Sequence, residues 1–285
     1  IASLGFGEFT TSFLAGLNYG LGFMLIHMLH CTVATKQPAM TAASFAEQVD
    51  SNEGSKAVDN KLAKLLIDVC RSQSVAVFGN VSIAVLLAAG IAWGYAYTHG
   101  QPLLNEAVTA YQLKSIEIFT QPTLWYAAIA GVWLFCSGII AGFFDNRSDY
   151  LNLRRLAAYI HKHYGSLMGN FIFGMLLGMT GYFGHLFGLP LDIRHVAFSS
   201  ANLGYAAISG HADISTFMLG LASVLAIGMV NLVVSFSLAL AVALRSRGTR
   251  LGSMRNLLKS FWSQVKANPL ILLYPVQVNN KDNTK

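Results

Sequence analysis

The chain has 285 residues, is 54 % hydrophobic and only 11 % charged, where a soluble domain carries about a quarter. That balance excludes an ordinary soluble globular domain. The formal charge of +6 reads first as a topology signal, ahead of nucleic-acid affinity.

Five stretches lack Asp, Glu, Lys and Arg and are long enough to cross a bilayer, which needs roughly 20 apolar residues. They cover about 13–33, 75–97, 124–144, 168–189 and 217–244. Glycine recurs inside them, as expected where membrane helices approach closely. The expected fold is an all-α polytopic membrane protein with about five transmembrane helices. A membrane-embedded part is expected over 1–247, and a cytoplasmic basic tail over 248–285.

Lys and Arg alternate along the connections. Residues 34–73 carry Lys36, Lys56, Lys61, Lys64 and Arg71, whereas 98–121 carry Lys114 alone. Residues 145–166 carry Arg147, Arg154, Arg155 and Lys162, and 190–213 carry Arg194 alone. Eight more follow from Arg245 onwards. Basic connections stay inside, so this pattern predicts cytoplasmic basic connections, an outer start and a cytoplasmic C-terminus. The chain opens at Ile1 without a methionine and reads as part of a longer protein. An outer start then implies a further span in the N-terminal part.

In chain order, the first span holds Asn18 near its middle, a polar group expected to act as glue to a neighbouring helix. His27, His30 and Cys31 share one helix face and read as interfacial groups. Cys31, Cys70 and Cys136 are odd in number and widely spaced, suggesting neither disulfides nor a zinc cluster. No metal and no cofactor is expected.

Ala34-Thr35-Lys36-Gln37-Pro38-Ala39-Met40 then breaks the first helix, because proline forbids its continuation. Small apolar residues follow to Ala46. Two readings stay open: a discontinuous or re-entrant segment over 35–46 lining a cavity, or a membrane-surface turn with a snorkelling lysine. Residues 47–60 read as a polar loop. Asp59 reads as a cap for a short amphipathic helix carrying Leu62, Leu65, Leu66 and Val69.

The second span opens at Gly79-Asn80. The third ends in Gly142-Phe143-Phe144-Asp145-Asn146-Arg147, read as a headgroup contact or a solvated helix end. A second amphipathic segment with Leu153, Leu156, Ala157, Ile160 and Tyr164 leads into Gly169-Asn170 and the fourth span. The Gly-Asn pairs and the order of elements around them suggest a parallel two-helix repeat.

The connection after the fourth span reads Leu189-Pro190-Leu191-Asp192-Ile193-Arg194-His195. The small and hydroxyl residues Ser199, Ser200 and Asn202 come next, in a segment (196–208) that is a second re-entrant candidate. An Asp–Arg pair holding a tight loop is one reading, and an outer contact site for substrate or lipid is the other. Asp192 and His195 are the acid–base candidates, with His185 the nearest further ligand were they half of a metal site. The last span carries Asn231 near its middle. Beyond it, Leu251, Met254, Leu258, Phe261 and Val265 recur at helical spacing beside Arg250, Arg255, Lys259 and Lys266. That is a basic amphipathic helix suited to an anionic inner leaflet.

Three of these motifs, around Lys36-Gln37-Pro38, Phe144-Asp145-Asn146-Arg147 and Asp192-Ile193-Arg194-His195 with Phe198-Ser199-Ser200-Ala201-Asn202, occur in one order. On them the chain resembles the bacterial membrane proteins catalogued as the site-specific recombinase family, from about residue 8 to about residue 247. Family members are roughly twice this length, so the resemblance implies the C-terminal, membrane-embedded half.

The family name implies DNA strand exchange. A tyrosine recombinase, however, needs a Tyr nucleophile among several Arg and His, and a serine recombinase an Arg cluster around Ser. Here Arg194-His195 falls on the outer face and the inner arginines sit at helix ends, so DNA is not expected as a partner of this segment.

The expected function is binding or translocation of an anionic or amphiphilic, lipid-like molecule. Its inner-face residues would be Thr35, Lys36, Gln37, Asn80, Asp145, Asn146, Arg147 and Asn170. On the outer face they would be Asp192, Arg194, His195, Ser199, Ser200 and Asn202. The alternatives are an anchor or scaffold for the N-terminal domain, an enzyme acting on a lipid-linked substrate, and DNA recombination. Expected partners are membrane lipids, that N-terminal domain, and a second copy or another envelope protein.

Overall fold

A computed structural model describes residues 5–30, 37–50, 56–150, 158–210, 212–249 and 253–272, with backbone alone for 37, 50, 56–59, 148–150 and 158–161. The helices are α1 (Glu8–Met28), α2 (Gln37–Asp50), α3 (Lys56–His99), α4 (Glu106–Ile116) and α5 (Thr123–Tyr150). They continue with α6 (Ala158–Phe187), α7 (Val196–Ile208), α8 (Ile214–Ser246) and α9 (Met254–Ala267), followed by a 3₁₀ turn at Pro269–Leu272. No strand occurs among the described residues. Among the described residues five helices are long and apolar enough to cross a membrane: Glu8–Met28, Asn60–His99, Thr123–Arg147, Lys162–Phe187 and Ile214–Ser246. Large apolar side chains such as Ile83, Leu86, Leu87 and Ile91 stand exposed along α3, a surface that suits lipid and not water.

The chain divides into two compact units, Ile1–Met40 with Val77–Ala239, and Thr41–Ala76 with Leu240–Lys285. In the first, α6 is the central helix, with half of its span buried against 17 % for α1. Gly16 and Gly20 of α1 face Gly178 and Gly174 of α6, and a Cβ on either α6 glycine would collide with α1 backbone. Two small-xxx-small stripes thus let the helix backbones touch, the packing that dispersion favours where no hydrophobic drive exists between helices. Phe23, Phe173, Leu177, Leu203, Val224 and Ile227 fill the core around this crossing. Asp213 caps α8 by accepting from Thr216 N and the Ser215 hydroxyl, both at 2.8 Å. These bonds hold its carboxyl down at about 2.

In the second unit, Phe45 and Val49 of α2, Leu62 and Ala63 of α3 and Leu257 of α9 form a small core. Arg71 binds Asp68 at 2.7 Å and the Ile271 carbonyl at 3.2 Å, tying the 3₁₀ turn to α3.

Several element boundaries differ from those the sequence suggests. Pro38 sits in the first turn of α2, where its missing N–H costs nothing, and α2 runs on through the polar Glu47–Asp50. The amphipathic segment and second span are one 44-residue helix, α3. It begins before Asp59 and runs unbroken through Arg71-Ser72-Gln73-Ser74, which is polar without being helix-breaking. The third span continues past Arg147 to Tyr150. Helix α4 arises inside what reads as an outer loop. Asn105 caps it by accepting from Val108 N at 2.9 Å, and Glu106 stands in its first turn.

Asn18 is exposed and so does not bridge helices among the described residues. The two Gly-Asn pairs pack differently. Asn170 is 1 % exposed and Gly169 abuts Ala141 and Ser137, whereas Asn80 is half-buried and Gly79 meets open space. What recurs is the order of lengths: long α3, short α4, long α5, then long α6, short α7, long α8.

Candidate functional site

The connection 188–195 and α7 are held by one buried side chain. Asn231, near the middle of α8 and 2 % exposed, accepts from Val196 N at 3.1 Å through Oδ1. Its Nδ2 donates to the Ala127 carbonyl at 2.7 Å and the Arg194 carbonyl at 3.0 Å. It therefore supplies the start of α7 with the cap that His195, the residue in the cap position, does not provide. The approach of α5 that makes this possible depends on Gly131, where a Cβ would lie 2.8 Å from the Asn231 carbonyl.

Arg194 closes the loop. Its Nε donates to the Ser115 carbonyl at the end of α4 at 2.6 Å, its Nη1 donates to Asp192 Oδ2 at 2.6 Å, and its backbone N–H donates to the Tyr126 carbonyl at 3.2 Å. The guanidinium lies 5.3 Å from the Tyr126 ring centroid, a cation–π distance. Asp192 Oδ1 also accepts from Ile193 N at 2.7 Å. The pair is charge-assisted and short, so the loop's two charges neutralise one another.

Two recesses open on either side of this loop. One, of about 160 Å³, is walled by Tyr111, Ser115, His195 and Ser199. The other, of about 450 Å³, is walled by Tyr19, Leu177, Gly178, Gly181, Ala201 and Tyr205. Asp192, Ile193, Arg194, Phe198 and Asn202 line both. The larger volume falls in the range of small-molecule sites.

His195 stands among the rings of Phe23, Phe173 and Phe198, with centroids 5.7, 5.2 and 5.5 Å away, each edge-on. Among the described residues its Nδ1 is buried without a hydrogen-bond partner. The residue lies outside the five spans, and burial lowers its pKa to about 4, so the imidazole is neutral at physiological pH.

Of the outer-face residues, Asp192, Arg194, His195, Ser199 and Asn202 come together here. Ser200 does not; it is fully buried and its hydroxyl donates to the Val196 carbonyl at 2.6 Å. Asp192 and His195 form no acid–base pair, because the carboxylate holds Ile193 N and Arg194 while the imidazole Nδ1 is unpartnered. His185 lies apart, donating to Glu8 at 2.6 Å between exposed ends of α6 and α1.

The inner-face residues are not gathered into either recess. Thr35 and Lys36 lie outside the described residues, as does Cys31, and Gln37 is described only as the first residue of α2. Asp145 accepts from Gly165 N at 3.1 Å, at a place where α6 must lack a Cβ. Asn146 and Arg147 are exposed, Asn80 is half-buried on α3, and Asn170 is buried on α6. His27 meets His163 of α6 at 3.0 Å. Among the described residues no group of three His, Cys, Asp or Glu is placed to hold a metal.

Sequence reasoning did not single out Tyr19, Tyr111, Tyr205 and Gly181 as walls. A signal for one wall was present: Phe198, Asn202 and Tyr205 follow the i, i+4, i+7 spacing of a single helix face.

A family model described as site-specific recombinase matches residues 1–155 and 151–275. Comparison with curated proteins and comparison with solved structures each gave no match. With the family model covering nearly the whole chain, and the fold built on five helices of membrane length, this protein belongs to the site-specific recombinase family.

Proposed function

We propose that the chain is a membrane module that binds an amphiphilic molecule whose polar head enters the recess beside the Asp192–Arg194 loop. One observation carries this reading. A recess of about 450 Å³ combines Tyr19, Asn202 and Tyr205 with the apolar Leu177, Phe198 and Ala201, in a unit built from apolar helices. Phenol and amide groups hydrogen-bond to a head group, while apolar and aromatic walls suit an acyl or prenyl stem. Because Asp192 neutralises Arg194, a neutral or zwitterionic head fits better than a bare anion.

The same neutralisation leaves Arg194 poorly placed for strand exchange. Among the described residues it is the one arginine lining the two recesses, and its charge is already bound. Strand exchange needs several free cations around a phosphodiester.

Gly181 supplies the test, since a Cβ there meets open space. Gly181→Leu adds apolar bulk at the wall of the recess, and its Cβ meets no backbone. Lipids co-purifying with the wild-type protein are compared by mass spectrometry with bulk membrane and with the variant. The expected outcome is one lipid class enriched on the wild type and lost from Gly181→Leu. Bulk-like lipid on both proteins refutes the reading.

A further inference from the structure

α9 carries two apolar stripes with different fates. Leu257, Phe261 and Val265 recur every fourth residue and turn into the second unit, where Leu257 is part of the small core against which Phe261, Leu240 and Leu244 pack. Met254, Leu258 and Trp262 recur at the same spacing, about 100° further round, and remain 49, 44 and 57 % exposed. Next to this ridge stand Arg255, Lys259 and Lys266, which share one open groove with Leu258 and Trp262. The helix contains no acidic residue.

Leu240 and Leu244 belong to the last turns of α8, a helix of membrane length ending at Ser246. α9 shares that core with the end of α8, and the end of a membrane-length helix is where lipid headgroups are met. An exposed tryptophan is at home at that level, and a cationic rail beside an apolar ridge is the pattern of a helix lying in the interface.

We propose that α9 docks on an anionic phospholipid surface. Met254, Leu258 and Trp262 insert below the headgroups, and Arg255, Lys259 and Lys266 lie against the phosphates. Each cation near such a surface contributes roughly fivefold to the docked population, so three together contribute roughly a hundredfold.

The test uses the full chain with Cys31, Cys70 and Cys136 replaced by alanine and a nitroxide on Leu258→Cys. It is reconstituted in nanodiscs of phosphatidylcholine alone or of phosphatidylcholine with phosphatidylglycerol. Collisions with oxygen and with an aqueous nickel chelate report whether the label is in lipid or in water. In anionic discs the label is expected in lipid. Combining Arg255→Gln, Lys259→Gln and Lys266→Gln is expected to lower the docked-to-undocked ratio roughly a hundredfold, with high salt acting in the same direction.

A label in water in both discs overturns the proposal. So does a label equally lipid-bound in neutral discs, which removes the role of the cations. A label shielded from both reagents in both discs marks a protein partner or a second copy, and overturns it too. Unchanged circular dichroism and gel-filtration profiles in all variants keep these outcomes interpretable.

Discussion

Asn231→Leu is the substitution that weighs most on the site. It keeps the branching and heavy-atom count of the side chain and removes three hydrogen bonds, to Val196 N, the Ala127 carbonyl and the Arg194 carbonyl. Between membrane helices such bonds average about 0.6 kcal/mol each, and in soluble cores about 1 kcal/mol. Three of them therefore amount to about 2–3 kcal/mol. Val196 N–H is additionally orphaned in a buried place, which costs about 1–3 kcal/mol, for a total loss of roughly 4 kcal/mol. Titration of detergent-solubilised protein with dodecyl sulfate, followed by circular dichroism, measures the change. Asn18→Leu is the control, since Asn18 is also near mid-helix but exposed, and it is expected to change stability by less than about 0.5 kcal/mol. The reasoning fails if Asn231→Leu is as harmless as the control.

Two further outcomes are expected. Gly174→Ala, where a Cβ would collide with the backbone of Gly20, should cost about 1–3 kcal/mol. Gly22→Ala, which meets open space, should cost nothing in the same titration. For His195 the sign follows from its lowered pKa. The unfolded chain takes up its proton near pH 6.5 and the folded chain only near pH 4. The stability of the neutral buried ring is thus fully present above pH 6.5 and is lost as the pH falls towards 4. The loss totals about 3 kcal/mol. His195→Phe should flatten that acid limb in unfolding measured at several pH values; an unchanged limb assigns it to other groups.

The membrane helices were legible because charge-free runs of that length have one physical use. Helix α7 was legible as a segment, and its bounds coincide with the 196–208 stretch of small residues. The chain's continuity through 56–99 was not, since polarity falls and rises there without any residue that ends a helix. Helix α4 escaped notice because Asn105-Glu106 signals a cap only when a helix is already suspected. At the site, Asp192, Arg194 and Asn202 stood out as polar residues in an apolar context. Tyr19 and Tyr205 did not, because a tyrosine in a membrane helix reads equally well as an interface anchor. Asn231 was visible, but its partners lie 35 and 104 residues away, and no local pattern announces a contact of that span.

That long reach also bears on how the protein is made. α7 has 13 residues, about 20 Å of helix, too short to cross the hydrocarbon by itself. The ribosome releases it before α8, so the nascent chain holds α7 without its cap until the last long helix has been threaded. Before then the Arg194 bonds to Ser115 and Tyr126 tether the loop but leave α7 uncapped, and the arrival of Asn231 supplies the cap. A nascent chain arrested before residue 231 should expose 188–208 to protease, and one released beyond it should not.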